Sequence, residues 1–211
     1  MSEKLNIAVL ASGKGSNFLA ILSAIRNGSI RNAVVTVVIS NNSDAGALAI
    51  AREQGIPALH ISRKQFAADV VFNEAVLSTL EEYRVNFIVL AGYMKKIDPS
   101  IIRQFKDRIV NIHPALLPAF GGSGMYGMHV HEAVIAQKAS ISGATVHIVD
   151  EEYDHGPIVL QKTLPVAPGD TPDTLAEKVR KIEHELYPEA IRLIAEGKIK
   201  INDRHVTIIE S

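Results

Sequence analysis

Two polar side chains interrupt the apolar run IVNIHPALLPAF: Asn111 and His113. Residues two apart in an extended strand project from one face. A hydrogen-bond-donating amide and an imidazole able to carry a proton are therefore set to point the same way. By itself N-x-H-P reads as a turn-capping asparagine and a histidine packed beside Pro114. A later stretch, DEEYDHGP, changes that reading by crowding Asp150, Glu151, Glu152 and Asp154 into a turn ended by Gly156 and Pro157. A carboxylate from this turn placed against His113 would orient the ring and raise its pKa. Amide, imidazole and carboxylate together suit acyl transfer: the amide steadies an oxyanion, the imidazole assists, and the acid tunes or shuttles protons. No G-x-S-x-G elbow and no cysteine supplies a nucleophile, so the attacking group would come from a substrate.

The stretch ASGKGSNF raises a second chemistry. Gly13 and Gly15 allow a tight turn, Ser16 and Asn17 are placed to cap the following helix, and Lys14 adds positive charge. Amides at a helix N-terminus suit a phosphate or carboxylate. The pattern is only part of a G-x-G-x-x-G, because Phe18 stands at its third glycine and SNN, not an acid, follows the second strand. A phosphate seat and a plain glycine turn both stay open; a dinucleotide site is disfavoured. His129 and His131, with His113 and an acid, raise a zinc reading. H-x-H opens a helix candidate, where side chains two apart diverge, so no metal is expected. His147, in mid-strand, reads as a satisfied core residue.

These groups need a scaffold. Strand candidates are Leu5 to Leu10, Val34 to Ser40, Pro57 to Ile61, Asn86 to Ala91, Arg108 to Ile112, Ala144 to Val149 and Ile158 to Val166. Helix candidates alternate with them: Asn17 to Arg26, Ala45 to Gln54, Ala67 to Tyr83, Pro99 to Phe105, His129 to Lys138 and Thr171 to Glu196. Alternation of aliphatic strands with amphipathic helices predicts an α/β fold, an open, mostly parallel Rossmann-like sheet of about seven strands with helices on both faces. Asp98 and Thr171 should cap helices that open on proline, Gly28 and Gly55 should end helices, and Pro188 should kink or split the last one. The tail KIKINDRHVTII suggests a terminal hairpin. Ligands of such sheets bind outside the carboxyl ends of the strands, which points to the loops Ala11 to Asn17, Gly92 to Asp98, His113 to Met128 and Asp150 to Pro157.

The 211 residues are expected to form one domain over 1–211. Net charge is −1, from 22 basic and 23 acidic residues, which gives no electrostatic case for a nucleic-acid or membrane partner. Absence of cysteine excludes disulfides and thiolate metal sites. The apolar run at the N-terminus is too short for a signal segment, and a cytoplasmic location is expected.

SGKGSN, LAGYMK, NIHPALLPAF and GATVHIVDEEYDHGPIVLQ occur in an order that resembles the folate-dependent formyltransferases, over most of the chain. SGKGSN is similar to the branch that acts on glycinamide ribonucleotide. The resemblance implies transfer of the formyl group of 10-formyltetrahydrofolate to the amine of that ribonucleotide, in purine synthesis, by direct attack. It implies a monomer or homodimer acting on small-molecule substrates, with folate as co-substrate and no metal. Catalysis falls on Asn111, His113 and Asp154; the resemblance is what selects Asp154 among the four acids. Ribonucleotide binding falls on Gly15, Ser16, Asn17 and Glu183. Folate binding falls on Met94, Lys95 and Ile97 with the backbone from Asp150 to Asp154. The phosphate site thus lies mainly in the N-terminal half, and the folate and catalytic site in the C-terminal half. Three features depart from the family pattern: the loop GGSGMYGM is long, Lys95 replaces an arginine and so loses a bidentate fork, and Asp69 stands near another missing arginine, which Arg63 or Lys64 would replace. Two further formyltransferase-type readings share the core. A methionyl-tRNA formyltransferase would carry an extra domain and a basic surface, and a formyltetrahydrofolate hydrolase resembles SGKGSN less. A nucleotide-binding module without catalysis is the remaining alternative.

Overall fold

The computed structural model describes residues 3–202 and 204–209. In chain order its elements are β1 (Leu5–Leu10), α1 (Ser16–Arg26), β2 (Ala33–Ser40), α2 (Gly46–Glu53), β3 (Ala58–His60), α3 (Asp69–Glu82), β4 (Phe87–Leu90), α4 (Pro99–Gln104), β5 (Ile109–His113), α5 (Met128–Ala136), β6 (Ile141–Ile148), β7 (Ile158–Pro165), α6 (Pro172–Ala195), β8 (Ile199–Asn202) and β9 (His205–Ile208). The main sheet runs β3-β2-β1-β4-β5-β6-β7, and β8 pairs with β9 as the expected terminal hairpin. Pairs from β3 through β5 are parallel; β5–β6 and β6–β7 are antiparallel.

The aliphatic runs behave as strands covered twice. Ile7 and Val9 pack with Phe18, Leu48, Val134, Leu175 and Tyr187, from α1, α2, α5 and α6. Ala8 and Leu10, on the opposite face, pack with Val76, Leu80, Ile101 and Ile102, from α3 and α4. Burying apolar surface on both faces makes near-continuous hydrophobic strands stable. Tyr187 of α6 reaches into the sheet, its buried hydroxyl 3.0 Å from the Leu90 carbonyl oxygen and 3.1 Å from that of Val110. One helix is thereby tied to β4 and β5.

Local signals mostly act as the sequence suggests. The Asp98 carboxylate accepts from the Ser100 N–H at 2.9 Å, and Thr171 caps α6. Gly28 and Gly55 end their helices at positive φ, where a side chain would be strained. Two expectations are corrected. Ser16 and Asn17 do not cap α1; left-handed Gly15 precedes the helix without a side-chain cap, leaving the first-turn amides available. Pro188 does not split α6, which is continuous through it. The missing N–H weakens one turn, but buried Leu186, Tyr187, Ala190 and Ile191 on both sides hold the helix to the core.

The antiparallel turn of β6 has a larger consequence. Ile148, its last residue, faces Val110 near the start of β5. The loop bearing Asp150 to Pro157 therefore leaves at the amino end of β5, not among the carboxyl-end loops as the strand-then-loop reading expected.

Candidate active site

Asn111 lies opposite His147, and His113 opposite Thr145, across the β5–β6 pair. Directly opposed residues share a face, so all four side chains project from the side that α3 and α4 cover further along the sheet. There the chain before α5 and the loop after β6 close over them. Thr145 anchors the first of these: its hydroxyl donates to the Ala115 carbonyl at 2.7 Å and accepts from the Leu117 N–H at 3.1 Å. The second folds back across the face and delivers Asp154, at φ 55, to the two histidines. Asp154 Oδ2 is 3.5 Å from His113 Nδ1, and Oδ1 is 3.5 Å from His147 Nε2. Asn111, His113 and Asp154 thus meet on a sheet face, with an acid that arrives from the far end.

Hydrogen bonds assign the resting protonation. His147 Nδ1 lies 2.9 Å from the Ile148 carbonyl, so it carries the proton and leaves Nε2 to accept from Asn111 Nδ2 at 3.1 Å. The amide keeps a second N–H for another acceptor. His113 Nε2 donates to the Phe120 carbonyl at 2.8 Å, and its Nδ1 faces the carboxylate. Burial pulls the His113 pKa below the ordinary value, against Asp154 and the Phe120 carbonyl, which raise it. The expected upward shift is corrected: the carboxylate is present, but desolvation of a ring only 3% exposed outweighs it. Burial alone would raise the Asp154 carboxyl, yet His147, His113 and the Gly122 N–H at 3.0 Å hold it below the carboxylate range. At neutral pH Asp154 is ionised and His113 is neutral. A cleft of about 560 Å3, bounded by Leu117, Pro118, Gly122, Tyr153, Asp154 and Arg204, opens beside the acid.

The glycine loop and the last helix meet separately. Asn17 Nδ2 donates to Glu183 Oε2 at 3.1 Å, so Gly15, Ser16, Asn17 and Glu183 share one area. Burial raises the Glu183 pKa against Asn17 and Arg180. Asn17 Oδ1, His131 Nδ1 and His184 Nε2 are buried without a partner among the described residues, and the charge of Arg180 reaches both histidines. Buried polar groups are normally satisfied, so this strip from α1 across α6 to α5 suits a polar ligand. Gly15 has little alternative there, because a Cβ would lie 2.7 Å from Ala47 Cα and its φ is +80°.

Met94, Lys95 and Ile97 occupy the loop after β4. Ile97 is buried with Ile101, Leu90 and Val149, Met94 is half-exposed and Lys95 exposed. Asp150 lies in the loop after β6, where its carboxylate is 3.1 Å from His155 Nδ1 and accepts from the Glu152 N–H at 3.0 Å. Arg63 pairs with Asp69. His129 and His131 part as expected, one exposed beside Glu132, the other buried. Sequence reasoning passed over Thr145, Arg180 and Phe120 and placed His147 in the core alone. His147 is satisfied, as expected of it, but within the candidate site. Thr145 and His147 repeat the two-residue polar spacing of Asn111 and His113, a usable signal.

A family model described as Formyl transferase matches residues 5–191. The chain is 43% identical to the chloroplastic phosphoribosylglycinamide formyltransferase of Vigna unguiculata, over 99% of this chain and 67% of that one. Identity to the phosphoribosylglycinamide formyltransferase of Haemophilus influenzae is 37%, over 93% of this chain and 90% of the relative. The crystal structure of glycinamide ribonucleotide transformylase 1 from Symbiobacterium toebii superposes with a TM-score of 0.93 at 40% identity, covering 100% of this chain and 96% of that one. A sheet of this order, a buried amide–imidazole–carboxylate face and matches of this length together place the chain in the formyl transferase family.

Proposed function

We propose that the protein transfers the formyl group of 10-formyltetrahydrofolate to the amine of glycinamide ribonucleotide. The observation that carries this reading is the convergence of Asn111, His113, His147 and Asp154 on one buried face. The neutral amine forms a bond to the formyl carbon, and the carbonyl electron pair moves to oxygen. The free N–H of Asn111 and the Nε2–H of His113 stabilise that oxygen; one such donor contributes roughly 3 to 4 kcal/mol in the transition state. The intermediate collapses with cleavage of the bond to the folate nitrogen, which receives the proton the amine gives up, relayed by Asp154. His113 presents its Nε2–H to the substrate when it leaves the Phe120 carbonyl.

Ribonucleotide binding is assigned to Gly15, Ser16, Asn17 and Glu183, and folate binding to Met94, Lys95, Ile97 and the segment from Asp150. Support comes from the uncapped first turn of α1 and the Asn17–Glu183 contact. No helix among the described residues is long and apolar enough to cross a membrane. The reading includes a cytoplasmic location, one domain and a monomer or homodimer. Transfer assayed at saturating substrates with Asn111, His113 and Asp154 changed singly to alanine tests the assignment; near-full turnover by His113→Ala would overturn it. Equal affinity for the ribonucleotide with and without its phosphate would remove Gly15 to Asn17 from the site.

A further inference from the structure

Ser12 ends the first strand's run into the glycine loop and is only 8% exposed. Each of its polar groups is committed, and to two different segments. Its N–H donates to the Gly92 carbonyl at 3.0 Å. Its carbonyl accepts from Asn42 Nδ2 at 2.7 Å. Its hydroxyl donates to Asn41 Oδ1 and accepts from the Met94 N–H at 2.8 Å. The sheet order places β1 between β2 and β4, so the loops after β2 and β4 approach the loop after β1 from opposite sides. Ser12 is where the three are joined.

Two further contacts make the junction rigid on its β2 side. Ala47 N–H donates to the Gly13 carbonyl at 3.2 Å, and a Cβ on Gly46 would lie 2.8 Å from the Lys14 carbonyl oxygen. The glycine loop is therefore locked to the start of α2. The loop of Met94 has its own bonds to Ser12 through Gly92 and Met94. Of those two, the bond to the Met94 amide is the one a side chain supplies. A hydroxyl is required for it, because the group must donate to Asn41 and accept from Met94 at once. Alanine does neither.

We infer that Ser12 is a positioning residue that sets the Met94 loop, and with it the folate donor, in register with the ribonucleotide seat at Gly15 to Asn17. The inference rests on the function proposed above. Ser12 touches neither reacting group; it acts through the Met94 amide.

The test compares wild type, Ser12→Ala, Ser12→Thr and Asn41→Ala in steady-state transfer. For Ser12→Ala the KM for 10-formyltetrahydrofolate rises roughly fivefold, the equivalent of one buried hydrogen bond. The KM for the ribonucleotide and kcat stay within about twofold of wild type, because the chemistry and the other seat are untouched. Ser12→Thr keeps the hydroxyl and restores the folate KM. Asn41→Ala, at a half-buried position, frees the hydroxyl to rotate and shifts the folate KM the same way by less, so a Ser12→Ala protein that fails to fold leaves a second reading. A purely structural serine would instead lower kcat through loss of active protein, with KM unchanged; that result overturns the inference. Amide hydrogen exchange in the unliganded protein reads the same bond directly: Met94 exchanges on the order of tenfold faster in Ser12→Ala. Unchanged exchange at Met94 also overturns it. Wild-type protein without transfer activity would count against the proposed function, and the Met94 comparison would still decide whether Ser12 holds this loop.

Discussion

Asn111 and His147 stand opposite each other across the junction of β5 and β6, the amide nitrogen of one 3.1 Å from the ring Nε2 of the other. The bond fixes which edge of the asparagine amide presents its remaining N–H. Asn111→Ala is expected to lower kcat by roughly 10²- to 10³-fold, as loss of an oxyanion donor does. His147→Ala removes only the partner that orients the amide, and a loss nearer tenfold is expected. His147→Gln, whose carbonyl can accept the same bond, should fall between wild type and His147→Ala. Equal losses for Asn111→Ala and His147→Ala would mean that the ring takes part directly.

The attacking amine must be neutral. A glycinamide-type amine titrates near pH 8, so kcat/KM should climb from about pH 6 and level off near pH 8. Asp154, held below the carboxylate range, stays ionised throughout that climb. Rates measured across this interval check the point; a maximum on the acid side of pH 6 is incompatible with it.

Stability should fall on acidification through the histidines. Burial lowers the His131 pKa to about 4, with His113 and Arg180 adding to the effect. The unfolded chain takes up its proton near pH 6.5, whereas the folded chain resists until about pH 4. Between those limits the unfolded state binds more protons, so folding stability declines as pH drops. His131 alone accounts for about 2 kcal/mol between pH 7 and pH 5. Urea unfolding of wild type and His131→Gln at the two pH values measures this, and the substituted protein should show the smaller decline.

Gly156 lets the loop of the acid lie against the end of β6, and Gly143 lets β6 approach β7 closely. A Cβ on Gly156 would lie 1.9 Å from the Ile148 carbonyl oxygen, and one on Gly143 would lie 2.1 Å from that of Lys162. Both alanine variants should lose about 2 to 4 kcal/mol, because backbone cannot yield as a side chain does. Only Gly156→Ala should also reduce turnover per folded molecule, since Gly156 sits two residues beyond Asp154. Thermal melts and kcat on the same samples separate the effects.

The parallel half of the fold was legible because its strands are short aliphatic runs, two of its helices end on glycine and α4 opens on an aspartate cap. Asn111 and His113 were legible as a pair through their spacing. Asp154 was not singled out by its own sequence, where four acids compete, and its true route was hidden because nothing in ATVHIV says that β6 runs against β5. Phe120 contributes a carbonyl, which no residue type announces, at a positive φ unusual for an aromatic. That α6 runs on unsplit through Pro188 was not legible, because the cost of a proline is local, whereas the burial that overrides it comes from the β4–β5 region and α1.

On the proposed function, the bond from His113 to Phe120 acts as a safety catch in the unliganded protein. With its outward nitrogen already engaged by the main chain, the imidazole is withheld from any stray water near a bound formyl donor. Releasing it requires the stretch from Pro118 to Gly127 to yield, and Gly122, Gly124 and Gly127 already hold backbone shapes open to few other residues. On that reading, the segment that shields the formyl donor from hydrolysis is the one that yields to the acceptor.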